Sequence, residues 1–235
     1  MAIALVSHKT KNNSDTTNVT TDAVDTSGAN LLILFVSDYN YTPVAGDISD
    51  TYGNTWNVLT SYNTGGDRST IVYAKNASVG SGHQVTFSRS GTYPSLQFLA
   101  FSGADTSAPF DAQNGLNSGT NLSSFQPGSV TPAGNDELFI FGATWDSITG
   151  VDTISVNSSF TIADQTAPIT NNFGHFVAYK IQTTGGAENP TATKSSGSLN
   201  ASAAIAAFKA AAGAALFIAK KNNLAMQAVN RASTY

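Results

Sequence analysis

The side chains able to do chemistry are few and widely spaced. The three histidines are His8, His83 and His175. None sits in the His-Glu-x-x-His spacing that brings two imidazoles onto one helical face, and no Gly-x-Ser-x-Gly elbow presents a serine nucleophile. His83 and His175 fall at or beside the starts of expected strands, where surface or cross-strand roles are the natural reading. Cysteine is absent, which removes thiolate chemistry, disulfides and Cys-ligated metals.

The richest polar cluster is Asp47-Ile48-Ser49-Asp50-Thr51-Tyr52-Gly53-Asn54. Its oxygens, from Asp47, Asp50 and Asn54, are of the type that holds calcium, although the spacing is not that of an EF-hand loop. The competing reading is a set of Asx turns in which the carboxylates accept the loop's own N–H groups. Asp136, Glu137 and Asp164 show no evident partner, so nothing suggests the carboxylate pair that glycoside hydrolysis requires. Trp56, Trp145, Tyr39, Tyr41, Tyr62 and Tyr93 could offer faces on which a sugar ring stacks, with Trp56 better suited to a core. No residue is assigned a catalytic role and no cofactor is called for; the ligand, if any, is left open, with carbohydrate as a candidate partner.

Composition narrows the partners further. Only 11% of residues are Asp, Glu, Lys or Arg, against roughly 25% in an ordinary soluble domain, so Ser, Thr, Asn and Gly must cover the exterior. The net charge of -4 and the scattered Lys and Arg leave no basic stripe to neutralise phosphates, which argues against nucleic acid. No uncharged run reaches the ~18 residues of a membrane span, and the first apolar stretch, from Met1 to Ser7, is too short for a signal-peptide core.

The elements that must position these residues are strands, and they recur as a repeat. Ala29-Asn30-Leu31-Leu32-Ile33-Leu34-Phe35-Val36 is echoed by Asn135 to Gly142. Ile71 to Lys75 is answered by Phe176 to Lys180, and Leu96 to Phe101 by Ala203 to Phe208. Short β-branched and aromatic runs separated by Gly, Asn, Asp, Ser and Pro predict strands near 3–8, 17–24, 30–38, 55–62, 69–76, 83–88 and 95–102. The second half adds 122–131, 137–145, 159–164, 173–183, 190–195 and 201–209. Leu31 to Val36 is apolar throughout, which suits a central strand covered on both faces or one at a subunit contact. The expected fold is an all-β, jelly-roll-type antiparallel sandwich over residues 1–210, built from two similar halves, about 1–104 and 105–210, that could share one core.

After Lys209 the pattern turns helical. Phe217, Ile218, Leu224, Ala225 and Val229 fall on one stripe, with Lys220, Asn222, Asn223 and Gln227 opposite. Residues 211–235 are therefore expected to form an amphipathic arm used in assembly.

Several of these motifs resemble a module of bacterial surface proteins and bacteriophage virion proteins. They stand here as Asn30-Leu31-Leu32, Asp50-Thr51-Tyr52-Gly53-Asn54-Thr55-Trp56, Val72-Tyr73-Ala74-Lys75-Asn76, Phe101-Ser102-Gly103-Ala104 and Pro109-Phe110-Asp111-Ala112. The resemblance covers residues 1–210 and implies no catalytic residues. With the composition, it leads to the expectation of a non-enzymatic virion protein, a capsid cement or decoration or a tail accessory, contacting other virion proteins and copies of itself. The alternative is a secreted or cell-surface adhesin or carbohydrate-binding module.

Overall fold

The structure, a computed structural model, describes residues 2–12, 18–117, 120–146, 153–166 and 173–212. The expected assembly stripe of Phe217, Ile218, Leu224, Ala225 and Val229 lies outside the described residues. Strands dominate: β1 (Ala4–Lys11), β2 (Val19–Thr20), β3 (Leu31–Tyr39), β4 (Ile48–Asp50), β5 (Asn57–Val58), β6 (Tyr62–Thr64), β7 (Asp67–Lys75), β8 (Val85–Phe87) and β9 (Ser95–Ser102) come first. They are followed by β10 (Phe110–Leu116), β11 (Ser124–Phe125), β12 (Leu138–Asp146), β13 (Ile154–Val156), β14 (Thr161–Thr166), β15 (Gly174–Ile181), β16 (Ala192–Lys194) and β17 (Asn200–Phe208). All pairings between these strands are antiparallel.

The strands form two large sheets and two small ones. One large sheet runs β1-β9-β3-β7-β5, with β6 also on β7, and the other runs β10-β17-β12-β15-β14. The small sheets are β2-β8-β4 and β11-β16-β13. Each small sheet covers the outer face of one large sheet, and the two large sheets pack on each other, which makes four layers with three apolar interiors.

This layering explains the runs that do not alternate. Because successive side chains of a strand point to opposite faces, Leu31, Ile33 and Phe35 enter the middle interior, and Leu32, Leu34 and Val36 enter the one beneath β2-β8-β4. In β12, Leu138 and Ile140 face the middle, while Phe139, Phe141, Ala143 and Trp145 face the interior beneath β11-β16-β13. At Gly142 the missing side chain has a steric purpose. A Cβ there would stand 2.5 Å from Cε2 of Phe35, so only glycine lets that ring cross from the first large sheet onto the second.

The middle interior changes character along its length. One end is apolar, with Leu31, Phe101, Leu138 and Phe208 fully buried. At the other, the Ser69 hydroxyl lies 3.0 Å from both Thr144 Oγ1 and Ser202 Oγ, and accepts the Thr144 N–H at 3.0 Å. Thr144 Oγ1 in turn donates to the Arg68 carbonyl at 2.8 Å. Toward the edge, Gln97 Nε2 donates to the Asp164 carbonyl at 3.2 Å and His8 Nδ1 lies 2.6 Å from Asp164 Oδ2. A buried hydroxyl must find a partner or carry a desolvation penalty of about 1–3 kcal/mol, so these pairs fix the register of one large sheet on the other.

Three strands were not foreseen in the sequence: β4, β10 and β13. β4 and β13 are three residues each, and every residue of β10 is half-exposed at a sheet edge, so none carries a hydrophobic period. Among the described residues no helix is long and apolar enough to cross a membrane.

Candidate functional site

Asp50, at the end of β4, gathers donors from a sharp turn. Its carboxylate accepts the Tyr52 N–H at 2.8 Å, the Asn54 side-chain amide at 3.1 Å and the Trp56 indole N–H at 2.8 Å. His83 Nε2 lies 3.4 Å away, and both side chains are fully buried. Burial alone would raise the carboxyl pKa, but the bonds from His83, the Tyr52 N–H, Trp56 and the Asn54 N–H outweigh it and hold the value down to about 2. The partners are N–H groups, which is the arrangement of a capped turn. Asn54 meets Asp50 through its NH2 group, and its amide oxygen is taken by the Ser78 N–H at 2.7 Å.

On the far side of the imidazole, Thr26 Oγ1 lies 2.8 Å from His83 Nδ1. Hydroxyl, imidazole and carboxylate thus stand in the order of a hydrolytic triad, and Thr26 is a member that sequence spacing gave no reason to choose. The site is sealed. Thr26 and His83 are wholly buried, and the Thr26 hydroxyl also bonds both the N–H and the carbonyl of Gly80. Its evident work is to clip the segments around residues 26, 50 and 80 together.

Asp47 joins neither Asp50 nor Asn54. It accepts the Tyr41 hydroxyl at 3.0 Å and the Val44 N–H at 2.9 Å, with Arg89 at 3.9 Å, and the Arg89 guanidinium stands 4.1 Å over the Tyr41 ring. Of the three oxygen-bearing residues considered for calcium, Asp50 and Asn54 are bonded to each other, while the oxygens of Asp47 are taken up by Tyr41 and Val44. Among the described residues there is no group of three or more His, Asp or Glu placed to hold a metal ion.

The six aromatic residues separate into two groups. Trp56, Trp145 and Tyr62 are buried in three different interiors. Tyr39, Tyr41 and Tyr93 stay partly or largely exposed: Tyr39 and Tyr93 meet at the end of the large sheets where the middle interior is polar, while Tyr41 packs at the margin of the interior beneath β2-β8-β4. Tyr39 stacks on Phe173 with ring centroids 5.9 Å apart and planes 10° from parallel, and Tyr93 meets it edge-on at 6.5 Å. Tyr39 as a whole is still 44% exposed. It is held closely: the Tyr39 N–H donates to the Thr92 carbonyl at 2.7 Å, and a Cβ on Gly66 would come within 2.7 Å of the ring. Tyr93 adopts φ 47°, a left-handed conformation that a bulky side chain takes only when its surroundings enforce it.

Beneath this rim, on the opposite face of β3, Asp38 is fully buried and paired in register with Arg68. Burial pushes its pKa up to about 8, against the Tyr41 N–H bond and Arg68, which act to lower it. His175, also fully buried, has its pKa pushed down to about 4 by burial, with Thr10 Oγ1 at 3.4 Å from its Nε2. At the other end of the molecule, Asp111 and Glu137 hold adjacent N–H groups of one turn, Ala133 at 2.6 Å and Gly134 at 3.0 Å. Burial, then the neighbouring Asp111, raise Glu137 to about 7, and Lys209 lies 3.3 Å from Asp111. A shallow cavity of about 550 Å³ opens near β10 and β11, lined by Leu116, Leu122, Ser124, Phe125, Gln126 and Thr191, none of them ionisable.

These features define a layered antiparallel β-protein whose strongly perturbed ionisable groups are turned inward and whose outward feature is an aromatic rim. No family model, no curated protein and no solved structure matches the chain.

Proposed function

We propose that this chain is a non-enzymatic structural protein of a bacteriophage virion, a capsid cement or decoration or a tail accessory, in which residues 211–235 mediate assembly with other virion proteins and with copies of itself. The observation that carries this reading is the middle interior. Two sandwiches packed through Phe35, Ile71, Ile140, Val177 and Phe208 make one stiff block, which suits a load-bearing part better than a hinged cleft. A sparsely charged exterior rich in Ser, Thr and Asn fits the same role.

The finer architecture belongs to this proposal. Counting β1, β2, β3, β4, β5, β7, β8 and β9 as strands one to eight of a first unit, and β10 to β17 as those of a second, both units read 1-8-3-6-5 in the large sheet and 2-7-4 in the small one. This order supports a jelly-roll reading in which the fifth strand has moved onto the larger sheet. A duplicated jelly roll is the reading it supports, with β3 and β12 as counterparts at the centre.

The experiment is to purify the native particle, locate the chain by cryo-electron microscopy, and compare full-length protein with a variant ending at residue 210. The expected result is a visible place on capsid or tail, and a truncated protein that stays folded but is not incorporated. Normal incorporation of the truncated form would remove the assembly role from 211–235. Absence of the chain from purified particles would overturn the virion reading.

A further inference from the structure

We propose that the Tyr39–Tyr93–Phe173 rim is a carbohydrate-binding site that takes a neutral sugar on the open part of the Tyr39 ring. The inference does not rest on the virion reading. Tyr39 is exposed where most other large side chains are buried, although nothing about strand β3 requires an aromatic at its end. Its orientation is fixed by the stack on Phe173, the edge of Tyr93 and the space left by Gly66. A fixed ring loses little conformational freedom when a ligand binds, and the two strained positions beside it, Asn40 at φ 53° and Tyr93 at φ 47°, are of the kind that persists at binding sites.

The surroundings select the ligand class. Asn40, Thr42 and Ser90, within three residues of Tyr39 or Tyr93 along the chain, are exposed and uncharged, of the types whose amides and hydroxyls partner sugar hydroxyls. The nearby cations are engaged: Arg68 donates to Thr42 Oγ1, and Arg89 covers Tyr41. With a net charge of -4, the chain offers no counter-field for a polyanion. An apolar peptide would need a broad greasy patch, yet among the described residues Tyr39 and Val44 are the large exposed hydrophobics of this loop cluster. A pyranose, with a C–H face for the ring and hydroxyls for the amides, matches both parts.

The test uses the full chain on a printed array of neutral hexose and N-acetylhexosamine oligosaccharides and bacterial polysaccharides, followed by titration with the best binder. Binding is expected, with affinity falling roughly tenfold or more in Tyr39→Ala and holding within about twofold in Tyr52→Ala, a partly exposed tyrosine outside this loop cluster. NMR shifts in the unaltered protein should centre on the rings of Tyr39, Tyr93 and Phe173, which gives a reading even if Tyr39→Ala folds poorly. An array without binding, shifts centred elsewhere, or affinity unchanged in a folded Tyr39→Ala would overturn the site. A particle that contains the chain while the array stays blank would sink this inference alone.

Discussion

Gly142→Ala should destabilise the whole molecule, and removing the Phe35 ring should reverse the sign of that effect. The added methyl would sit 2.5 Å from Phe35 Cε2, and forcing an extra carbon into a closed interior costs about 1–3 kcal/mol. Replacing glycine in a strand returns roughly 0.5–1 kcal/mol through the unfolded chain, so the net loss expected is ~1–2 kcal/mol. Phe35→Ala alone should cost ~3–5 kcal/mol, because the ring is fully buried. In that background the clash is gone, and Gly142→Ala should become neutral or stabilising, a coupling of about 1–3 kcal/mol. The chain carries its own reporters, since Trp56 lies in the interior beneath β2-β8-β4 and Trp145 in the one beneath β11-β16-β13. Urea unfolding followed by fluorescence should give a single transition in each of the Trp56→Phe and Trp145→Phe backgrounds, and Gly142→Ala should lower the stability by the same amount in both. Equal costs with and without Phe35, or a shift seen by Trp145 alone, would refute the account of a single block joined through this contact.

The ionisable groups give further outcomes. Asp50, held near pKa 2 against 3.8 when unfolded, contributes stability that is fully present above about pH 4 and lost as pH falls toward 2. Asp50→Ala should cost about 1–2 kcal/mol at pH 7, allowing for partial screening, and flatten that acid limb in melts taken from pH 2 to 5. Glu137 and Asp38 act in the opposite direction: their folded pKa values, about 7 and about 8, lie above the unfolded ones, so stability declines as pH rises from about 4 through 8. Glu137→Gln should raise the melting temperature at pH 8 and have little effect at pH 4; a lower melting temperature at pH 8 would show its ionised form to be the useful one. His175, depressed to about 4, should withdraw stability as pH falls from 6.5 toward 4, and His175→Gln should weaken that slope.

Legibility in the sequence followed the number of covered faces. The apolar run Leu31 to Val36 announced a strand buried on both sides, and the structure supplies a layer for each. Edge strand β10 was invisible because Phe110-Asp111-Ala112-Gln113-Asn114-Gly115-Leu116 is half-wet along its whole length. For the polar residues, the Asx-turn alternative at Asp50 was readable from local spacing, since its partners Tyr52 and Asn54 follow within four residues. Thr26 and His83 were not, because His83 meets Asp50, and Thr26 meets His83, only after β2-β8-β4 has assembled. The aromatic list was readable as residue types but not as places. Only the sheet ends decide that Tyr39 meets Tyr93 and Phe173 at a surface while Trp145 points inward.

The Phe35–Gly142 contact bears on ancestry. The sequence echo of 29–36 by 135–142 sets Gly142 against Val36, but the faces of the strands correct that register by one residue. Leu31 and Ile33 share the middle interior with Leu138 and Ile140, so in the proposed duplication Phe35 and Gly142 are counterparts, each at the fifth position of its central strand. Two separate copies of one ancestral unit, meeting about a two-fold axis, would have had to place the same residue against itself there: two rings competing for one space, or two glycines leaving a void. Joining the copies in one chain lifts that restriction, since each side can then mutate alone. A large residue on one side and none on the other is a solution open to a tandem gene and closed to a homodimer, and it would make the fusion hard to undo.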